Sequence, residues 1–294
     1  MKSIPLALRE HLAQDATTWC LLLRVECVGK WAGTVLGFTT LDAPLTYDDG
    51  TGALAYLPNN GFAPERIEVA ADFGVDNTSL IGWVTDTGIT EQQILAGLFD
   101  YATVSIYRVN YLDLSMGHEL VGFGTCGQTT FSANKWSVEF RSLMQQAKQT
   151  ISTVYSLSCR AAFGDARCGM PFVWTTGTVT AIGSDAQRMF TASGLSGADG
   201  YYDLGVVEWL TGDNANADME VDAFLTGGSI RLALPMGYAM QVGDTFRIRR
   251  DCDKQFATCK AYGNALNFRG EHLTPVADTA LSVPGAYVTH QDSA

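Results

Sequence analysis

Four cysteines in the second half of the chain, set in two short-spaced pairs, restrict its fold more than any other feature. Eight residues separate the first pair, in Cys159-Arg-Ala-Ala-Phe163-Gly-Asp-Ala-Arg-Cys168-Gly169. Six separate the second, in Cys252-Asp-Lys-Gln-Phe-Ala-Thr-Cys259. Such a set suits a tetrahedral zinc ion or a four-cysteine iron–sulfur cluster, and ligand type alone does not choose between them. Neither spacing is that of an ordinary zinc finger or ribbon. The longer loops leave room for a larger inorganic core, which favours a cluster over zinc. Two disulfides, or four inert buried thiols, are the readings without metal. The other cysteines, Cys20, Cys27 and Cys126, are scattered. Gly164 and Gly169 allow positive φ or close backbone approach. Arg160, Arg167, Arg249, Arg250, Lys254 and Lys260 place cations nearby, where they would lower thiol pKa.

Redox compartment bears on the choice. No run of apolar residues is long enough for a spanning helix, and Met1-Lys-Ser-Ile-Pro5 is followed by no apolar signal region. Seven cysteines in an unexported chain are expected to stay reduced, which favours metal ligation over disulfides. At 294 residues two domains are the default. A hydrophobic share of 47% against a charged share of 17% describes a globular chain, and 30 glycines suit a turn-rich β protein. The formal net charge of −12 argues against a nucleic-acid-binding surface.

Along the chain the patterning predicts mainly β structure with short helices. Residues 1–15 read as an amphipathic helix with Ser3 as cap and Ile4, Leu8 and Leu12 on one face; His11 beside it reads as solvent-facing or core, not catalytic. Strands are predicted at 19–28, 34–40, 65–72 and 80–83, and a polar hairpin turn at Asp48-Asp-Gly50-Thr-Gly52. Asp42, Asp48 and Asp49 lack a calcium-loop register. Thr90 and Gln93 form a capping box for a short helix. The strongest strand is Asp100–Tyr111, with Ala102, Val104, Ile106 and Arg108 on one side and Tyr101, Thr103, Ser105, Tyr107 and Val109 on the other. Strands at 119–126, 129–131 and 135–143 complete an antiparallel meander, so residues 1–150 read as a β-barrel or sandwich. A glutamine-rich helix or linker follows, from 143 to about 154. Six further strands, near 178, 189, 206, 219, 229 and 245, form an inserted β segment, 170–250, within a cysteine-cluster domain, 151–275. A core held by all four thiols would close a loop of roughly ninety residues and so offset its ordering entropy. Residues 276–294 read as a polar tail or an arm that orders on a neighbour.

The run Phe163-Gly-Asp-Ala-Arg-Cys168-Gly169, with Cys159, Cys252, Cys259 and Asn267-Phe-Arg-Gly270, resembles the baseplate hub family of long-tailed bacteriophages and gene transfer agents. The pair spacings are similar to those of iron–sulfur tail-tip proteins of the phage lambda type. Phe73-Gly-Val-Asp-Asn-Thr-Ser-Leu-Ile-Gly82 and the stretch from Ile89 to Val104 resemble the family's N-terminal half. The resemblance covers most of residues 1 to 275. It implies a structural virion protein with a tail-tube-like N-terminal part, built in the host cytoplasm and placed at the tail tip. It further implies a homotrimer joining the distal tail protein to the central tip or fibre protein around the DNA exit channel. It also implies a 4Fe-4S cluster on Cys159, Cys168, Cys252 and Cys259, with zinc as the other occupant. An acidic bore would let duplex DNA slide through; a charge that merely keeps the chain in solution is the other reading of the same acidity.

Enzyme motifs are missing. The four histidines, His11, His118, His272 and His290, form no H-E-x-x-H, and no P-loop, G-x-S-x-G elbow or dinucleotide fingerprint is found. Cys126 with His118 is the nucleophile pair the sequence permits, without support. The competing class is a non-viral four-cysteine metalloprotein, zinc or iron–sulfur, with redox or hydrolytic activity.

Overall fold

The computed structural model of the chain describes residues 4–58, 63–64, 77–83, 89–132, 135–143, 145 and 152–274. The strand expected at 65–72, most of the linker at 143–154, Ser3, the start of the 73–82 run and the tail at 276–294 lie outside the described residues.

The N-terminal part opens with α1 (Leu6–Leu12), which starts after Pro5 without a side-chain cap. Leu8 is buried, and His11 accepts the Thr18 N–H at 3.0 Å through Nε2, tying the helix to the first strand. That strand, β1 (Trp19–Glu26), pairs with β2 (Val35–Thr39) on one side and β7 (Thr103–Asn110) on the other. The sheet continues through β8 (His118–Ser132), β9 (Lys135–Ser142), β6 (Asn77–Trp83) and β5 (Ala63–Pro64), in the order β2-β1-β7-β8-β9-β6-β5. The expected meander is present as β7-β8-β9. The pieces predicted at 119–126 and 129–131 are one strand, interrupted by a register shift between Cys126 and Thr129.

Side-chain alternation places apolar groups on both faces. Leu23, Val25, Val104 and Ile106 join Phe140 and Val138 in one core, which α2 (Glu91–Leu95) covers with Ile94. Thr90 and Gln93 close the expected capping box. Cys20, Leu22, Tyr107 and Val109 form the opposite core beneath the hairpin β3 (Leu45–Asp48) and β4 (Ala53–Tyr56). Asp48 and Asp49 are turn residues: their carboxylates accept the N–H groups of Gly50 and Thr51 at 2.9 and 3.0 Å. Among the described residues this part is a seven-stranded sheet that does not close, with the two-stranded β3–β4 sheet packed on one face and α2 on the other.

Closure occurs further on. The six strands expected between the cysteine pairs are β10 (Thr175–Ile182), β11 (Met189–Ser193), β12 (Val206–Trp209), β13 (Asp218–Leu225), β14 (Ser229–Leu232) and β15 (Thr245–Arg249). They form a closed barrel in the order β10-β11-β14-β13-β12-β15. Trp209, Phe190 and Phe246 fill it, with ring centroids 5.3 to 5.4 Å apart. Lys30 joins the sheet to the barrel. Its ammonium donates to the Asp213 carbonyl and sits 4.6 Å from the Tyr238 ring centroid, and burial lowers its pKa. Among the described residues no helix is long and apolar enough to cross a membrane.

Candidate metal centre

The barrel itself assembles the cysteine site. Its first and last strands are antiparallel neighbours, with Thr175 opposite Ile248 and Thr176 opposite Arg247. The chain that enters β10 and the chain that leaves β15 therefore emerge side by side. Cys168 is buried against Ala161 and Phe163, and Cys159, Cys252 and Tyr262 pack on the same small core. Cys259 lies on α3 (Phe256–Ala261), where the charges of Cys159, Cys168 and Cys252 all act on it. All four predicted residues are thus brought together from two loops.

Backbone bonds stitch the loops into one cap. The Cys159 N–H donates to the Lys254 carbonyl at 2.8 Å and the Arg160 N–H to the Arg269 carbonyl at 3.2 Å. Arg160 holds Glu271 through both guanidinium arms at 2.5 and 2.7 Å, while Glu271 also accepts the Ser156 N–H at 2.9 Å. Within the first loop, Asp165 accepts the Cys168 N–H at 2.7 Å and so orients that residue. Gly164 and Gly169 both have positive φ, +78° and +69°, as expected from their positions. Phe163 meets Phe172 and Tyr262 edge-on at 6.3 Å.

Sulfur-directed donors are present as well. The Arg269 N–H points at Cys159 Sγ at 3.4 Å, and Asn264 Nδ2 lies 3.7 Å from Cys168 Sγ. All seven cysteines are free thiols. Among the described residues no group of three or more His, Cys, Asp or Glu side chains is arranged to hold a metal ion. The donor set nevertheless fits a thiolate-ligated group. Cys159, Cys168 and Cys252 share one small apolar core, the charges of all three act on Cys259, and the Arg269 N–H is aimed at Cys159 Sγ.

The expected cationic lowering of the thiols is corrected for two of them. Burial pushes the Cys252 thiol up, and Lys254 only partly opposes it; burial and the neighbouring cysteines push Cys259 up. Most of the nearby cations are already matched. Arg167 pairs with Asp165, Arg249 and Lys254 with Asp251, and Arg160 with Glu271. Arg250 instead lies 4.6 Å over the Tyr262 ring. The sequence reading missed the roles of Asn264, Asp165 and Glu271. A polar side chain two or three residues past a cysteine-bearing helix was the available signal for the first.

Cys126 and His118 do not form a pair. His118 Nδ1 is 2.8 Å from the Tyr47 hydroxyl in the hairpin-side core, whereas Cys126 belongs to the opposite core. Burial and neighbouring Cys27 raise the Cys126 thiol to about 12, which keeps it protonated and inert.

The Arg160–Glu271 clamp has a pH signature. The Arg160 hydrogen bonds, then the Ser156 N–H, bring the Glu271 carboxyl from 4.5 to about 2. A depressed carboxyl stabilises the fold fully above its unfolded value and loses that contribution as pH falls through its folded value. Glu271→Gln should therefore melt below the wild type by a constant margin above pH 4.5, and the margin should vanish toward pH 2. Thermal melts across that range check it; a margin independent of pH would remove the clamp from the account.

Comparison with known proteins adds an independent line. Residues 5–171 match the family described as baseplate hub protein, N-terminal attachment domain. Residues 200–278 match the family described as phage conserved hypothetical protein BR0599. The first match contains Cys159 and Cys168 and the second contains Cys252 and Cys259. No curated protein matches the chain. Among solved structures, a chain of the virion of a native gene transfer agent particle is similar over 99% of both chains, at 28% identity and a TM-score of 0.77.

Proposed function

This chain belongs to the baseplate hub protein family, and from that premise we propose that it is a ring subunit of the tail tip, a structural protein without catalytic turnover. It sits in the virion tail. In this reading residues 1–150 attach to the distal tail protein and tail tube above, and residues 151–275 face the central tip or fibre protein below. Three copies surround the channel through which DNA leaves. The net charge of −12 suits a bore that repels its cargo and makes no specific contact with nucleic acid.

Cys159, Cys168, Cys252 and Cys259 would hold an iron–sulfur cluster, 4Fe-4S, with zinc as the competing occupant. When bound, the cluster supplies a covalent cross-link between the two loops. The chain's own residues do the rest: Asp165 orients Cys168, the Arg269 N–H faces Cys159, and Phe163 and Tyr262 keep water from the floor. One observation carries the reading: the strand pair that closes the barrel sets both cysteine loops side by side, in a chain alike over 99% of its length to a virion component.

The test is direct. Protein purified without oxygen should be brown, contain iron and acid-labile sulfide in equal amounts, and bleach with dithionite. Mixed with the distal tail protein it should form a complex whose mass corresponds to a trimer of this chain. Zinc alone in the site would replace the cluster in this account, and a monomer that ignores tail proteins would overturn the hub role.

A further inference from the structure

Asn264 touches both cysteine loops at once. It follows α3, and its N–H donates to the Cys259 carbonyl at 3.0 Å. Its own carbonyl accepts the Cys259 S–H at 3.2 Å, a bond of the protonated thiol that ligation would replace. Its side-chain amide reaches the other loop: Nδ2 donates to the Cys168 carbonyl at 2.7 Å and lies 3.7 Å from Cys168 Sγ. Oδ1 is occupied in turn by Asn267 Nδ2 at 2.8 Å, which leaves the amide one orientation. Residues 96 apart in sequence are thereby held in register by one short side chain.

We infer that Asn264 is a positioning residue for the metal centre: it locks the Cys168 loop onto the Cys259 helix and directs an N–H at a ligating sulfur. The inference rests on the four-thiolate reading above and extends it to a residue that is not a ligand. An amide donor pointed at a thiolate withdraws electron density from sulfur, which stabilises the reduced form of a cluster and raises its potential. Partners of this kind commonly account for 10- to 100-fold in metal affinity. Aspartate keeps the shape but turns the donor into a carboxylate beside a thiolate, and alanine removes the bridge altogether.

The experiment uses the full chain purified without oxygen, as wild type, Asn264→Ala and Asn264→Asp. Iron loss to a chelator and the reduction potential are followed, with far-ultraviolet circular dichroism as the control for folding. The expected result is iron loss about 10- to 100-fold faster in both variants, with a more negative potential and an unchanged β signal. Aspartate should give the larger shift of potential, because it adds a like charge while conserving shape. Iron-loaded variants with wild-type potential and retention would overturn the inference and leave the ligand set intact. A wild-type protein free of iron and sulfide would overturn the ligand reading, and this inference with it. Should Asn264→Ala fail to fold, the shape-conserving aspartate decides alone.

Discussion

A Cys168→Ser chain is expected to emerge from purification colourless, without iron or sulfide, and to be cut by protease between residues 159 and 169. Cys168 is the most buried of the four cysteines, with its N–H taken by Asp165 and its carbonyl by Asn264. Serine fits the space but offers a poorly ligating hydroxyl where a soft thiolate is needed. Three remaining thiolates would share uncompensated charge, since the nearby cations are mostly committed to Asp165, Asp251 and Glu271. Structural four-ligand metal sites contribute on the order of 10 kcal/mol in small domains, so the loss exceeds that of any other single change considered. The barrel should survive, because its aromatic core is separate from the small core beneath the cysteines. Elemental analysis combined with limited proteolysis measures both effects. Full metal content and an intact loop in this variant would mean that Cys168 is not a ligand.

The second large effect lies inside the barrel. Trp209 is fully buried and packs on Phe190 and Phe246 at 5.3 and 5.4 Å. Trp209→Ala should destabilise the chain by about 3–5 kcal/mol, because the barrel wall is hydrogen-bonded around its circumference and cannot collapse into the cavity. Trp209→Phe should cost much less, about 1–2 kcal/mol. Its indole N–H has no hydrogen-bond partner within the described residues, so removing it also removes a desolvated donor. Urea unfolding followed by tryptophan fluorescence and circular dichroism separates the two variants. Because β10 and β15 also align the cysteine loops, the alanine variant should lose iron more readily at a given urea concentration. Equal costs for the two substitutions would show that the barrel core is not packed as described.

These two variants probe features of different legibility. The strand at Thr103–Asn110 was readable because Val104 and Ile106 alternate with Tyr107 and Val109, and each set faces its own core. The capping box at Thr90 and Gln93 was readable because it depends on residues three apart. The placement of β1 between β2 and β7 was not, since pairing Leu22 with Tyr107 joins residues whose neighbours in sequence give no sign of it. The same limit left barrel and sandwich undivided for the N-terminal part. Alternation along a strand shows that both faces are covered, yet covering by α2 and the β3–β4 hairpin leaves the same trace as covering by a second sheet. Thiol electrostatics were misjudged for a related reason: burial, which only the tertiary structure sets, outweighs the neighbouring cations at Cys252 and Cys259.

What the chain determined by itself was local: where strands run, where turns interrupt them, and that four thiols arrive in two pairs. Those are set by side-chain period, turn chemistry and spacing, all of which act over a few residues. Only the tertiary structure decided that the segment between the pairs closes into a barrel and that Asn264 spans the two loops. Both depend on β10 meeting β15 across some seventy intervening residues, a contact whose free energy comes from a core that exists only once the ring is complete.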